Sequence, residues 1–226
     1  MTTAITMRSD AEIKDDVLHE LAWDPRVDET EIGVQVKRGV VTLTGTVSSY
    51  VKRIAAAEAG HRVKGVLDIA NDVIVKIPGV GKKTDTEVAQ AVRSALKWDV
   101  LVPDEDIRST VSEGRVTLEG EVDTWSQRED AEWAIRRLAG VAAITNLITV
   151  KPSVMSANGV RAAIEGAIER RAEREVSRLG VTVGNGVVTL TGAVRSWGER
   201  HAVEQAAGFA PGIRRVDSRL TVDPYL

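Results

Sequence analysis

The stretch GVVTLTGTV at residues 39–47 occurs three times with small changes, and it decides the fold. It returns as GRVTLEGEV at residues 114–122 and as GVVTLTGAV at residues 186–194. The first two copies begin 75 residues apart, and the second and third begin 72 residues apart. A repeat of this length predicts a tandem array of small domains. The repetition also argues against one buried catalytic centre, because catalysis needs unlike groups at one point.

The similarity between the copies extends well beyond these nine residues. At the same offsets, apolar positions align before the strand and a glycine aligns after it. The aligned sets include Ile13, Val88 and Val160; Val17, Val92 and Ile164; and Gly65, Gly140 and Gly212. We therefore predict three domains, at residues 8–77, 83–151 and 156–224. Turn-forming residues at 78–81 and 152–153 indicate the linkers.

Composition excludes several classes of protein. The chain is 43% hydrophobic and 28% charged, as folded soluble proteins are. It contains no cysteine, which excludes disulfides and thiolate metal sites. Residues 1–10 contain no long apolar run, so we predict no signal peptide and no transmembrane segment. We expect a cytoplasmic protein, with a peripheral position at the inner membrane left open, or a periplasmic one if the chain is a truncated form.

Each repeat begins with a helical pattern. Ile13, Val17 and Leu21 are four residues apart and form one stripe of an amphipathic helix. We expect Asp10 to cap its start. A second helix should begin after Ser49, a preferred N-cap residue.

The strands of each repeat alternate between apolar and polar residues. Val41, Leu43 and Gly45 should face inward, and we expect a helix to approach the backbone closely at the glycine. A tight turn at residues 37–39 precedes this strand, and a last strand covers residues 69–76. The predicted fold class is α+β, with three tandem small two-layer domains. Each has the order helix–strand–strand–helix–strand, with a three-stranded mixed sheet covered by two helices.

The repeat resembles the BON domain family. The resemblance rests on the strand at residues 39–47, on the turn that begins at Gly65, and on a last strand of the type Val-x-Asn-x-Leu-x-Val. Asn146 stands in that last strand, and Asn71 and Ser218 stand at the equivalent positions. A triple arrangement is similar to the osmotically inducible proteins of the bacterial envelope-stress type. The resemblance implies a module without enzymatic activity that attaches to phospholipid or to other envelope components under stress.

Two groups of residues are candidates for a lipid or partner surface. Trp133 occupies the position of Glu58 and Gln205 in the other repeats, which predicts a solvent-facing ring. Packing between repeats is the favoured interpretation, and a membrane or partner anchor is the alternative. The arginines of the second group follow the first helical stripe of the third repeat, where they either form a solvated face or contact anionic headgroups. This group comprises Arg170, Arg171, Arg174 and Arg178.

No catalytic, cofactor or metal site is predicted. The three histidines come singly, and an isolated histidine usually has a structural role. Three aromatic residues follow the predicted caps of the second helices, and we expect each to seal the edge of its own core. They are Tyr50, Trp125 and Trp197.

We infer a non-enzymatic, stress-associated binding or scaffold protein. Its predicted partner is an anionic phospholipid surface or another protein, and a protein-interaction module with no lipid role is the alternative. Nucleic acid is not expected, because the net charge is −3 and no Gly-x-x-Gly clamp occurs. The oligomeric state is left open.

Overall fold

The computed structural model describes residues 8–79, 83–151, 157–172, 179–210 and 212–224, with the side chains of residues 157 and 168–172 excepted. Over these residues the order of helix, two strands, helix and last strand occurs three times. The predicted α+β class with three tandem small domains is confirmed.

The helices and strands have the following bounds. The first repeat contains α1 (Asp10–Trp23), β1 (Ile32–Lys37), β2 (Val40–Val47), α2 (Tyr50–Arg62), β3 (Asp68–Asn71) and β4 (Ile74–Val75). The second contains α3 (Asp85–Trp98), β5 (Ile107–Ser112), β6 (Arg115–Val122), α4 (Trp125–Ile135), β7 (Ala143–Asn146) and β8 (Thr149–Val150). The third contains α5 (Ala157–Ala172), β9 (Leu179–Gly184), β10 (Val187–Val194), α6 (Trp197–Gly208) and β11 (Arg215–Val222).

The repeated nonapeptide forms the central strand of each sheet. In the first repeat β2 pairs antiparallel with β1 and parallel with both β3 and β4, with Leu43 opposite Val34 and Val41 opposite Ile69. In the second repeat β6 has the same partners in the same register. In the third repeat β10 lies between β9 and β11. The parallel pairing follows from the crossover through the second helix.

The core of the first repeat lies between its helices and one face of its sheet. The apolar residues of the alternating strand pattern and of the helical stripe are buried, as the sequence predicts. The main members are Ile13, Val17, Leu21, Val41, Leu43, Val47, Ala56 and Ala59. Full burial of each Val, Ile or Leu contributes about 1.5–3 kcal/mol.

The start of α1 differs from the prediction. Ser9, and not Asp10, is the N-cap: its hydroxyl accepts from the Glu12 N–H at 3.3 Å, and Glu12 accepts from the Ser9 N–H at 2.7 Å. The expectation that Asp10 caps the helix is therefore wrong. Its carboxylate instead accepts the N–H groups of Arg38 and Gly39 at 2.7 and 2.9 Å. These two bonds hold the pKa of Asp10 below its ordinary value.

This contact fixes the hairpin turn between β1 and β2. Arg38 and Gly39 have φ values of 52° and 74°, so the prediction of a tight turn with a left-handed glycine is confirmed. The second repeat has the same contact, where Asp85 accepts the N–H groups of Glu113 and Gly114 at 2.8 and 2.9 Å. Ala157 stands at the corresponding place in the third repeat, where no carboxylate is available.

The strand glycine has a different role from the one predicted. Gly45 is exposed, with φ 126°, and a Cβ there would lie 2.0 Å from the carbonyl oxygen of Glu31. Gly120 has φ 146°, and a Cβ would lie 2.1 Å from the oxygen of Asp106. Glycine is therefore required by backbone conformation and by the neighbouring chain before β1 and β5, and not by a helix on the inner face.

The last strand is broken in the first two repeats, and an asparagine spans the break. The Asn71 amide donates to the Arg53 carbonyl at 2.9 Å and accepts from the Val73 N–H at 3.3 Å. Arg53 donates in turn to the carbonyls of Val73 and Asn71, each at 3.0 Å. Asn146 and Arg128 repeat this arrangement. In the third repeat β11 runs unbroken through Ser218.

The chain separates into two compact units. One consists of Met1–Lys76, Ala193–Arg200 and Thr221–Leu226, and the other of Ile77–Gly192 and His201–Leu220. The first repeat thus shares a unit with residues from the start of α6. The domain boundaries 8–77, 83–151 and 156–224 remain a prediction.

Two of the aromatic residues after the caps contact a repeat other than their own. The Trp197 ring stacks on His61 of the first repeat. The Trp125 ring lies against Gly208 of the third repeat, where an added Cβ would be 2.2 Å from its Cε3 atom. The expectation that each ring seals the edge of its own core does not include these contacts, and it remains a prediction.

Candidate binding surface

In the first repeat a network of ion pairs closes the loop after α1. The Asp24 side chain is buried and accepts from Arg26 at 2.8 Å and from Arg62 at 2.9 Å. Arg26 also pairs with Glu58 at 2.8 Å. The Arg26 hydrogen bonds, together with that from Arg62, hold the pKa of Asp24 well below its usual range. The charges of Asp24, Arg26 and Arg62 are therefore paired within the repeat.

In the second repeat the same loop has lost this network. The positions of Asp24, Arg26, Glu58 and Arg62 hold Asp99, Leu101, Trp133 and Arg137. The loop keeps one backbone contact, since the Leu101 N–H donates to Asp99 at 3.0 Å where the Arg26 N–H donates to Asp24 at 3.1 Å. A leucine and a tryptophan thus stand where the first repeat has an arginine–glutamate pair.

The result is an exposed apolar surface, which we name the apolar end of the second repeat and define as Trp98, Val100, Leu101 and Trp133. These side chains are 85%, 97%, 65% and 50% exposed. Three of the four lie within four consecutive residues, so the exposed apolar side chains are concentrated in one short segment. Trp23 at the equivalent helix end is also 84% exposed, but Pro25 and Arg26 follow it.

Two arginines flank Trp133. The guanidinium carbons of Arg136 and Arg137 lie 5.3 and 5.0 Å from the centroid of its ring, within the range of cation–π contacts. The guanidinium groups of Arg136 and Arg137 therefore place positive charge beside the Trp133 ring of the apolar end. Exposed aliphatic side chains, an aromatic ring and two guanidinium groups can together contact both apolar and anionic groups of a ligand.

Comparison with known families decides to which one the repeats belong. The family profile described as "BON domain" matches residues 9–77, 84–152 and 156–224, which is most of the chain. The chain belongs to the BON domain family. The triple-BON arrangement that the sequence predicts is confirmed.

Relatives of this BON protein include the "Osmotically-inducible protein Y" of Escherichia coli (strain K12). The two are 27% identical over 129 residues, which are 55% of this chain and 64% of the relative. The match thus spans less than two thirds of the relative's own length.

Two solved structures of CdsD, a structural protein of the type III secretion system of Chlamydia trachomatis, are also similar. They are 18% and 16% identical, cover 92% and 96% of this chain and 91% and 100% of their own, and have TM-scores of 0.25 and 0.26. At these TM-scores they carry no argument about the BON repeats.

Two acidic residues of the second BON repeat have raised pKa values. Burial raises the pKa of Glu129, against the opposing effect of its ion pair with Arg128. Burial also raises the pKa of Asp130, and the charge of Asp99 adds to the effect. Asp99 belongs to the loop that carries the apolar end.

The four candidate arginines of the third BON repeat have their side chains outside the described residues. Arg170 and Arg171 fall in α5, but their side chains are outside the described set, as are Arg174 and Arg178 entirely. Their contact with headgroups remains a prediction.

Other kinds of site were also sought among the described residues. No group of three or more His, Asp or Glu there is placed to hold a metal ion. No described helix is long and apolar enough to span a membrane.

Sequence reasoning found only part of the apolar end. It singled out Trp133 because the repeat offset aligns this residue with Glu58. The same offset aligns Leu101 with Arg26, so the paired loss of opposite charges is visible in the sequence. The connection between the two changes becomes visible only from the 2.8 Å contact between Arg26 and Glu58, which makes these positions neighbours in the first repeat.

Proposed function

We propose that this BON protein is a non-enzymatic, stress-associated binding protein that attaches to anionic phospholipid surfaces through the apolar end of the second repeat. The similarity to a protein named for its osmotic induction supports the stress-associated part. The observation that carries the lipid part is the replacement of the Arg26–Glu58 pair by Leu101 and Trp133, which produces exposed apolar surface at one place.

The magnitudes favour reversible attachment. Transfer of Val100 and Leu101 out of water contributes about 1.5–3 kcal/mol for each side chain. Each arginine near an anionic surface adds about 1 kcal/mol, and Trp133 carries two of them. The sum of about 5–8 kcal/mol is comparable with the lower part of the free-energy cost of lost motional freedom, and it is too small for permanent insertion.

A protein partner without a lipid role is the second candidate. The apolar end also has the aromatic and arginine content of a protein interface. Lipid is favoured because Val100 and Leu101 are highly exposed aliphatic residues and two guanidinium groups lie at the Trp133 ring. A protein partner would have to supply a pocket for these aliphatic side chains.

Vesicle flotation with full-length protein tests the proposal. The variant Leu101→Arg/Trp133→Glu places the ion pair of the first repeat into the second, so it should keep the fold while it removes apolar surface. We expect its binding to vesicles rich in phosphatidylglycerol to fall at least about tenfold, because two apolar groups are lost. Trp23→Ser, which alters the equivalent exposed tryptophan of the first repeat, is the matched control and should bind as the wild type does.

Further arms of the experiment separate the alternatives. Binding should weaken with added salt, since the attraction of exposed charges is screened over about 8 Å at physiological ionic strength. Arg170→Ser/Arg174→Ser reports whether the arginines of the third repeat contribute. Equal flotation of the wild type and the Leu101→Arg/Trp133→Glu variant would show that the apolar end does not bind the vesicle. A wild type that fails to float at all would leave the protein-partner function.

A further inference from the structure

The start of α6 docks on the first repeat through one aromatic ring. The rings of Trp197 and His61 are stacked with centroids 4.0 Å apart and an angle of 17° between their planes. The Trp197 Nε1–H also donates to the carbonyl of Val66 at 3.2 Å. Both partners of the ring therefore belong to the first repeat, in the same compact unit as residues 193–200.

The tryptophan is held on another side by charge. The Arg200 guanidinium carbon lies 4.8 Å from the Trp197 centroid. Arg200 stands at the repeat position of Arg53 and Arg128, which clamp the broken last strand of their own repeats. In the third repeat the arginine at this position contacts the docked ring.

The imidazole of His61 is placed so that a proton on it opposes the docking. Burial lowers the pKa of His61, and the positive charge of Arg200 on α6 lowers it further. Asp68 on β3 and Glu58 on α2 act in the opposite direction, but the net direction is downward. Neutral imidazole is therefore the form that fits between the first repeat and the Trp197 ring.

We propose that the stack of His61 and Trp197 is a proton-sensitive latch, which holds residues 193–200 on the first repeat at neutral pH and releases them on acidification. When Trp197 leaves, His61 gains access to water and regains its ordinary affinity for a proton. The undocked form therefore binds more protons just below pH 6.5, the ordinary value for histidine. Docking is complete above this pH and weakens as the pH falls below it.

The indole N–H signal of Trp197 in the NMR spectrum of the full chain reports on the latch. Its assignment comes from its loss in Trp197→Phe. We expect its exchange protection, corrected for the intrinsic pH dependence of exchange, to fall several-fold between pH 7.5 and pH 5. Every unit by which docking lowers the pKa of His61 corresponds to about tenfold in the docking equilibrium.

Matched variants make the result specific. His61→Phe keeps a flat ring that takes up no proton, so protection should persist at pH 5. His19→Gln removes a histidine outside the latch and should behave as the wild type. The proposal is overturned if the wild type protects the Trp197 indole equally at both pH values, or if His61→Phe loses protection as the wild type does. This experiment contains no lipid, so its outcome is independent of the proposed membrane function.

Discussion

Asn71 and Asn146 each use one side-chain amide to hydrogen-bond the backbone groups at the break in the last strand. Ser218 stands at the equivalent position in the third repeat. The Ser218 hydroxyl is buried and has no hydrogen-bond partner among the described residues. A group of this kind contributes nothing favourable, because it has lost its contacts with water and gained none in return.

Alanine substitutions should therefore have opposite consequences at equivalent positions. Asn146→Ala leaves the Arg128 carbonyl and the Ile148 N–H without the amide, and should cost about 1–3 kcal/mol. Ser218→Ala removes an unsatisfied hydroxyl and should be neutral or stabilising. Calorimetry of the full chain measures both. An equal drop in Tm for the two variants would contradict the assigned role of the asparagine.

Single residues also show where sequence reasoning stops. The cap at Ser49 was predictable, because a hydroxyl stands directly before a helical pattern, and the structure confirms it. Ser9 and Asp10 are both good caps, so the choice between them depends on a contact outside the helix. That contact is the turn at Arg38, 28 residues away, which takes the Asp10 carboxylate.

The loop after the first helix differs between the first two repeats, because only the first has the Asp24 ion-pair network. In the first repeat, the charged form of Asp24 stabilises this loop through its ion pairs with Arg26 and Arg62. The pKa of Asp24 lies well below the ordinary 3.8, so the unfolded chain binds more protons under acidic conditions. The stabilisation is therefore complete above about pH 4 to 5 and is lost progressively as the pH falls through the folded value.

Asp24→Asn should accordingly destabilise the protein in a pH-dependent manner. At pH 7 we expect a cost of about 1–3 kcal/mol, because Arg26 and Arg62 lose their charged acceptor. The difference in Tm between wild type and variant should shrink as the pH falls below about 4. Thermal melts from pH 7 to pH 2 follow this difference, and a constant gap over the whole range would argue against the ion-pair network.

Element order and strand alternation were predictable, since period-2 patterns at Val41 and Leu43 decide which face is buried. The role of Gly45 was not predictable from the same pattern. Alternation gives a side-chain direction, but the position of the Glu31 carbonyl depends on how the chain enters β1.

At the scale of the whole molecule, the domain map is a prediction about the segments between repeats. Limited proteolysis of the native chain should cut first near residues 78–83 and 151–158, because turn-rich linkers are preferred sites of nicking. Mass spectrometry of the early fragments identifies the cuts. Early cleavage within residues 39–47 would contradict the map, since that segment forms the central strand of the first sheet.

The contacts between repeats were beyond the reach of the sequence. The offsets align Trp125 with Trp197 and Gly208 with His61, so the positions are equivalent. No shared residue pattern predicts the contact of Trp125 with Gly208 or of Trp197 with His61, because a glycine and a histidine accept an indole ring for different reasons. Gly208 leaves space for it, and His61 offers a flat surface.

The hydrogen bond from Trp197 to Val66 joins residues 131 positions apart, which has a consequence during synthesis. A ribosome adds about 5–20 residues per second, so roughly 7–26 seconds pass between the emergence of the acceptor and of its donor. Most contacts within the first repeat are available long before that. Until residue 197 has emerged, the nascent first repeat therefore lacks the ring that stacks on His61 and the N–H that donates to the Val66 carbonyl.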